Sequence, residues 1–147
     1  AELLAEQLDG LWDASPLRDV RWECFEYGLL ERMREQNLPG KRILLIAPAV
    51  AEHDEAGPGW LSDAALDRVA AHHHGISVHV SQLSRGLVQR AHQRGLEIFS
   101  YTVRPEPQFL PPAFGGNAAD YLHYLAETGV DALFCDDPAG AITALGA

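Results

Sequence analysis

The sequence lacks the features that would place it in several specialised classes of protein. Its 147 residues contain no apolar run near the roughly 20 residues that a membrane-spanning helix needs. No basic start followed by an apolar segment is present, so the sequence shows no signal peptide and leaves the compartment open. The length suits a single domain, residues 1–147, with its own hydrophobic core. Because Ala1 is not a methionine, a processed or truncated start is also open.

Cysteine and positive charge are both scarce. The two cysteines, Cys24 and Cys135, lie far apart without a CxxC spacing, which favours two small packed side chains over a disulfide or a zinc site. Against 21 Asp and Glu stand 11 Lys and Arg, which gives a formal net charge of −10. So acidic a surface repels phosphate backbones, and we expect no nucleic-acid partner. An anionic small substrate would need local positive charge or a metal ion.

One stretch, residues 95–104, shows how the chain is organised. A glycine ends a helix, and a run rich in β-branched and aromatic residues follows and stops at Pro105. This pattern predicts a buried strand whose last residues include Tyr101 and Arg104. Ligands of parallel α/β folds bind outside the carboxyl ends of the strands, so the end of this strand is the best candidate for part of a site.

The same order of helix, glycine and strand recurs along the chain. Gly75, Gly95 and Gly129 each separate a predicted helix from a predicted strand, and no Asn-Gly hairpin signal interrupts the series. Strict alternation predicts parallel strands joined by right-handed crossovers. The predicted strands are residues 19–25, 42–47, 76–80, the run ending at 104, and 132–136. The predicted helices are residues 1–13, 27–36 and 138–145, with three more that begin after the caps Ser62, Ser84 and Asn117.

Two long irregular loops, residues 48–59 and 105–116, both follow strands, whereas the turns after helices are tight. This asymmetry is typical of barrel enzymes, in which one face carries the working loops. The first loop is acidic, but Glu52, Asp54 and Glu55 lack the regular ligand spacing of a calcium loop. We expect these three residues to be solvated.

Four segments, in this order, resemble the glycerophosphodiester phosphodiesterase family of phospholipase-C-like (βα)8 barrels. They read VRWECFEYGLLERMRE, HHHGISVHVSQ, LVQRAHQRGLEIFSYTVR and GVDALFCDDPAGA. The last two are similar to the family's helix before a strand ending in Trp/Tyr-Thr-Val-Asn/Arg and to its closing GVDgiiTDyP. The resemblance spans nearly the whole chain. It implies an α/β fold of parallel (βα) units, a partial TIM-type barrel with about the last five strands.

The family's amino-terminal motifs have no counterpart in this sequence. Missing in their expected context are the opening His-Arg-Gly, the Glu-x-Asp metal ligands, the second His and the Glu-x-Lys strand. The resemblance implies that the complete barrel hydrolyses glycerophosphodiesters to glycerol 3-phosphate and an alcohol, using a divalent Ca²⁺ or Mg²⁺ and two histidines. This chain would contain neither the metal ligands nor the catalytic residues, so we expect it to be inactive alone.

Two other interpretations of the sequence remain open. The chain is a half-barrel module for binding or assembly, whose two exposed sheet edges pair in a homo-oligomer or with a missing amino-terminal segment. Alternatively, it is a pseudoenzyme that keeps only a ligand-binding wall.

Tyr101 and Arg104 are the first candidates for that wall, and each has a structural alternative. The Tyr101 ring either packs on the alcohol portion of a substrate or fills the barrel mouth. Arg104 either pairs with a phosphate or is a solvated arginine before the proline-rich loop.

Phe25 and His79 complete the candidate wall. Phe25 aligns with the family's Ser-Phe strand end, where Cys24 and Glu23 replace serines, and we expect it to line the pocket. His79 alternates with Val78 and Val80, so it points into the barrel if these valines pack under helices. Its alternative is a satisfied interior histidine.

Other polar residues are expected to be structural. Asp136 aligns with the family's closing Thr-Asp and is expected to bond nearby backbone amides. Residues 72–74 are three consecutive histidines on a predicted helix, where side chains point about 100° apart and so do not converge on one ion. His92 and His123 also lie on predicted helices.

Overall fold

A computed structural model describes residues 19–51, 53–54 and 57–146 of the chain. The predicted helix at residues 1–13 and the acidic residues Glu52 and Glu55 lie outside the described residues. No described helix has the length and apolar character that crossing a membrane requires. Cys24 and Cys135 are both free and half-buried.

A parallel sheet forms the centre of the described chain. In chain order the strands are β1 (Arg21–Cys24), β2 (Lys41–Ile46), β3 (His53–Asp54), β4 (Gly57–Pro58), β5 (Gly75–His79), β6 (Glu97–Val103) and β7 (Ala132–Cys135). Five of them make one sheet in the order β1-β2-β5-β6-β7, and every neighbouring pair is parallel. The predicted half-barrel of parallel strands is therefore confirmed.

The short β3 and β4 pair antiparallel inside the acidic loop, which the sequence analysis missed. Strands of two residues are too short to show the period-2 alternation on which strand prediction depends. The five long strands were predicted, with ends that differ from the observed ones by at most two residues.

Helices connect the strands of the main sheet. They are α1 (Tyr27–Glu35), α2 (Asp63–His72), α3 (Arg85–His92), α4 (Ala118–Ala126) and α5 (Pro138–Leu145). The predicted caps are confirmed, since the side chains of Ser62, Ser84 and Asn117 accept hydrogen bonds from backbone N–H groups of the first turn. Gly95 and Gly129 follow helices with positive φ of 71° and 86°, which explains why glycine stands there.

The two faces of the sheet have different surroundings. One face packs under the helices and forms the main hydrophobic core, which includes Leu44, Ile46, Ile76, Val78 and Ile98. Because side chains alternate along a strand, the intervening residues face the interior of the half-barrel. Three of these interior residues, Ile43, Ser77 and Phe99, are also buried.

Gly75 has a different role from the predicted one. The sequence analysis took it for the glycine that ends a helix, but it is the first residue of β5 and pairs with Ile43 and Glu97. A Cβ at this position would lie 2.5 Å from the carbonyl oxygen of Glu97 and 2.8 Å from Cδ1 of Ile43. Gly75 therefore lets β2, β5 and β6 approach closely on the interior face.

The three consecutive histidines connect α2 to its neighbours. His72 Nδ1 and His73 Nε2 lie 3.1 Å and 3.0 Å from the carboxylate oxygens of Glu31 on α1. The backbone N–H of Arg42 donates to Nδ1 of His74 at 3.1 Å. The His73 side chain is fully buried, and burial lowers its pKa from 6.5 to about 4 although Glu31 acts in the opposite direction.

Replacing Gly75 with alanine is expected to lower the free energy of unfolding by about 1–3 kcal/mol, because the added Cβ overpacks the interior face. Gly86→Ala is the matched control, since Gly86 is exposed in α3 and a Cβ there meets nothing within 4 Å. Helix propensity alone predicts that the control gains about 0.5–1 kcal/mol. Urea denaturation followed by circular dichroism measures both variants. Equal stability of Gly75→Ala and the wild type would contradict the close approach of these strands.

Stability is expected to fall as the pH drops from about 6.5 towards 4, because the unfolded chain then binds a proton at His73 that the folded chain does not. The contribution of His73 is at most about 3 kcal/mol, from a pKa shift of roughly 2.5 units. His73→Gln should remove this part of the pH dependence, measured by urea denaturation across the same range. The control His123→Gln changes an exposed histidine on α4 and should leave the slope unchanged. If the free energy of unfolding falls with pH equally in His73→Gln and in the wild type, this role of His73 is ruled out.

Candidate active-site mouth

Three aromatic side chains meet at the carboxyl ends of β1, β5 and β6. The rings of Phe25 and Tyr101 lie edge to face with centroids 6.1 Å apart, and those of His79 and Tyr101 do so at 5.9 Å. His79 and Tyr101 are direct partners in the sheet register. We call Phe25, His79 and Tyr101 the aromatic lip. The structure therefore brings together three of the four residues that the sequence analysis selected.

Hydrogen bonds fix two members of the lip. The Tyr101 hydroxyl donates to the backbone carbonyl of Ile46 at 2.9 Å. The backbone N–H of Ser81 donates to Nδ1 of His79 at 3.2 Å, so Nδ1 carries the lone pair and Nε2 carries the proton. Phe25 is 57% exposed, which leaves much of its ring free for contact with a ligand. The lip thus combines apolar ring surface with one N–H donor.

A network of charges lies at the opposite, amino-terminal end of the interior. Glu97 on β6 is paired with Arg21 of β1 at 3.1 Å and with Lys41 of β2. Burial alone would raise the pKa of Glu97, but the hydrogen bonds from Arg21 and Lys41 lower it below its usual value. The guanidinium of Arg21 also lies 5.7 Å from the centre of the Phe99 ring.

Glu23 lies on the same face of β1 as Phe25, because the two residues are two positions apart. It lines an open interior trough of about 570 Å³, whose other lining residues are Arg21, Glu97, Phe99, Asp131, Ala132 and Phe134. Burial raises the pKa of the Glu23 carboxyl. Burial also raises the pKa of the Tyr101 hydroxyl, and the negative charge of Glu23 acts in the same direction. The sequence analysis noted Glu23 only because it replaces a serine of the family pattern. That replacement was the one sign in the sequence that this position differs from the family.

Arg104 lies away from the lip and contacts two carboxylates and an aromatic ring. Its guanidinium is 3.3 Å from the Asp136 carboxylate and 3.6 Å from that of Glu106. It also lies 3.6 Å from the centre of the Phe109 ring. Arg104 therefore connects the proline-rich loop after β6 to the end of β7, and the structure shows no contact between Arg104 and the aromatic lip.

The expectation that Asp136 bonds nearby backbone amides is wrong, because its carboxylate pairs with Arg104. The capping role belongs to the next residue. Asp137 accepts a hydrogen bond from the backbone N–H of Gly140 at 3.0 Å and so caps α5. The predicted helix begins one residue after Asp137, which is the position that an N-cap occupies.

The described residues do not fit a divalent metal ion. Such an ion needs several convergent oxygen ligands. Within the described ranges no three His, Cys, Asp or Glu side chains are grouped so that they could hold a metal. On the interior face Glu97 is neutralised by two cations, and His92 pairs with Asp131 at 3.0 Å outside the lip.

Comparison with known proteins identifies the relatives of this fold. The sequence model of the Glycerophosphoryl diester phosphodiesterase family matches residues 4–140. A solved structure from Agrobacterium tumefaciens that bears this family name superposes with a TM-score of 0.65 at 20% identity, over 96% of this chain and 49% of that one. The comparison with curated proteins gave no match.

Two further solved structures agree with this fold. One from Silicibacter pomeroyi, under the same family name, gives a TM-score of 0.62 at 22% identity, over 85% of this chain and 37% of that one. A glycerophosphoryl diester phosphodiesterase from Parabacteroides distasonis gives a TM-score of 0.56 at 14% identity, over 99% of this chain and 46% of that one. The chain thus spans about half the length of these proteins or less. Because the family's sequence model covers nearly all of its residues, the chain belongs to the glycerophosphoryl diester phosphodiesterase family.

Proposed function

We propose that the full-length protein hydrolyses glycerophosphodiesters to glycerol 3-phosphate and an alcohol, and that this chain forms the carboxyl-terminal part of its barrel. Family membership suggests this activity. The observation that carries the proposal is the aromatic lip, which stands at the carboxyl ends of three parallel strands. Active sites of (βα)8 barrels lie at that end.

In this proposal the lip receives the alcohol portion of the substrate. The Tyr101 ring is held in place by its bond to Ile46 and offers a rigid apolar surface at little entropic cost. The N–H at Nε2 of His79 donates a hydrogen bond to an oxygen of the substrate. We assign Arg104 to holding the loop after β6, since two carboxylates already engage it.

The family is metal-dependent, and we propose that the ion is Ca²⁺ or Mg²⁺. Because the described residues do not fit such an ion, we assign its ligands to other residues of the complete barrel. We assign the two histidines that the family resemblance implies as general acid and base to those other residues as well. The role of this chain is then to bind and orient the leaving alcohol, while the reacting phosphate lies across the mouth.

A specific observation favours a second candidate, a half-barrel that acts by assembly. In the described sheet β1 and β7 each have a neighbour on one side only. Beside β7 an apolar groove of about 500 Å³ is lined by residues such as Leu122, Phe134 and Ile142. Such edges and apolar surfaces favour pairing with further strands, either from a second copy or from an amino-terminal segment.

Hydrolysis is the direct test of the proposed function. The full-length protein should release glycerol 3-phosphate from glycerophosphocholine with Ca²⁺ or Mg²⁺, measured by a coupled dehydrogenase assay, and lose this activity in EDTA. The 147-residue chain alone should show no turnover, because the described residues lack a metal site. Turnover by the chain alone would contradict our placement of the catalytic groups. An inactive full-length protein would favour the assembly candidate or a pseudoenzyme.

Tyr101→Ala should raise the KM of the full-length protein about 10-fold with a small effect on kcat, because the ring contacts the alcohol in both ground and transition states. Tyr101→Phe keeps the ring and should change KM less. Tyr124→Ala is the matched control, since Tyr124 is an exposed aromatic residue on α4. An unchanged KM in a folded Tyr101→Ala protein would remove Tyr101 from the substrate site.

A further inference from the structure

One carboxylate in the interior trough has no partner among the residues that the structure describes. Four charged residues line the trough, namely Arg21, Glu23, Glu97 and Asp131. Arg21 pairs with Glu97 at 3.1 Å, and Asp131 pairs with His92 at 3.0 Å. Within residues 19–51, 53–54 and 57–146, the half-buried Glu23 side chain forms neither an ion pair nor a hydrogen bond. Burial raises its pKa, and no neighbouring cation lowers it.

The backbone of Glu23 lies at a free edge of the sheet. In the described sheet β1 has one neighbour, β2. The N–H of Lys41 on β2 donates to the carbonyl oxygen of Val20 at 2.8 Å, so the backbone groups of Val20 point towards β2. Because the backbone groups of successive residues in a strand point to opposite sides, those of Arg21 and Glu23 point away from β2. A further strand beside β1 would form its hydrogen bonds with these two residues.

The side chain of Glu23 limits which strand fits at this edge. Neighbouring strands lie about 4.8 Å apart, so the interior side chains of an added strand would stand next to the Glu23 carboxylate. An apolar side chain there would bury the carboxylate further without a partner, and an acidic one would repel it. A lysine or arginine would offset the cost of burial. The open trough of about 570 Å³ leaves space for such a long side chain.

A second copy of this chain offers no uncommitted cation at its described sheet edges. Its β1 would present Arg21, which already pairs with Glu97. Its β7 edge is preceded by Asp131 and followed by Asp136, so it would bring carboxylates towards Glu23. The chain covers at most 49% of each of the three solved relatives, whose remaining length contains further chain. An amino-terminal segment is therefore the better source of the added strand.

We propose that the edge of β1 receives a strand from the amino-terminal segment of the full-length protein, and that this strand places a lysine or arginine beside Glu23. The inference rests on the proposed function, which assigns this chain to the carboxyl-terminal part of a longer protein. It goes further by naming the charge that the added strand carries and the residue that recognises it. Glu23 then joins two strands through a cation, as Glu97 does with Arg21 and Lys41.

Glu23→Gln in the full-length protein is the first test. Glutamine keeps the size of the side chain and removes its charge, which leaves the partner cation unpaired in a half-buried site. The urea denaturation midpoint should therefore fall by about 0.5 M or more. Glu35→Gln is the matched control, because Glu35 is exposed at the end of α1 and should leave the midpoint unchanged. An unchanged or higher midpoint in Glu23→Gln is the result expected of an unpaired carboxylate, and it would overturn the proposal.

Charge exchange is the second test, and it identifies the partner. Glu23→Lys should lower the midpoint further than Glu23→Gln, because two like charges then meet. In the Glu23→Lys protein, each lysine and arginine in the strands of the amino-terminal segment is replaced by glutamate in turn. One of these replacements should restore at least about half of the lost midpoint, as expected for two residues in contact. If none of them restores it, the proposal is wrong.

Two comparisons separate this inference from the alternatives. A midpoint difference between Glu23→Gln and the wild type that grows with protein concentration would assign the cation to a second copy, and it would overturn the amino-terminal strand. Stability is measured without turnover, so the result does not depend on the hydrolase assay. Charge-exchange rescue in a protein that hydrolyses no glycerophosphodiester would support the interface and refute the proposed function. An active protein whose midpoint is insensitive to Glu23→Gln would do the reverse.

Discussion

The alternation of side chains along five parallel strands is the constraint on which the rest of this structure depends. Even-numbered positions such as Leu44, Ile76 and Ile98 pack under the helices and form the core. The odd-numbered positions of β2 and β5, and of β6 as far as Tyr101, face the interior. There Ile43, Ser77 and Phe99 are buried, whereas His79 and Tyr101 are only partly buried. A residue's place in this alternation therefore decides whether it packs under the helices or faces the interior.

This constraint explains why much of the fold and part of the site were predictable from sequence. His79 lies between Val78 and Val80, so its direction follows as soon as the valines are assigned to the core. Tyr101 follows from the same logic, because it ends a strand recognised by its glycine entry and proline exit. Helix ends such as Gly95 were readable because their geometry is local.

The features that were not predictable depend on contacts between distant segments. Gly75 looks like Gly95 in sequence, and only the closeness of Ile43 and Glu97 distinguishes a packing glycine from a helix end. Asp136 and Arg104 are 32 positions apart, and their pairing follows from the adjacency of β6 and β7 at the mouth. No local pattern carries such information, because side-chain partners across a sheet are set by topology and register.

The interior carboxylates show how the same fold treats one kind of charge in two ways. Glu97 stands at the amino-terminal end, where Arg21 and Lys41 neutralise it, so its pKa falls despite burial and it supports the folded state. Glu23 stands nearer the mouth without such partners, so burial raises its pKa and its charged form opposes folding.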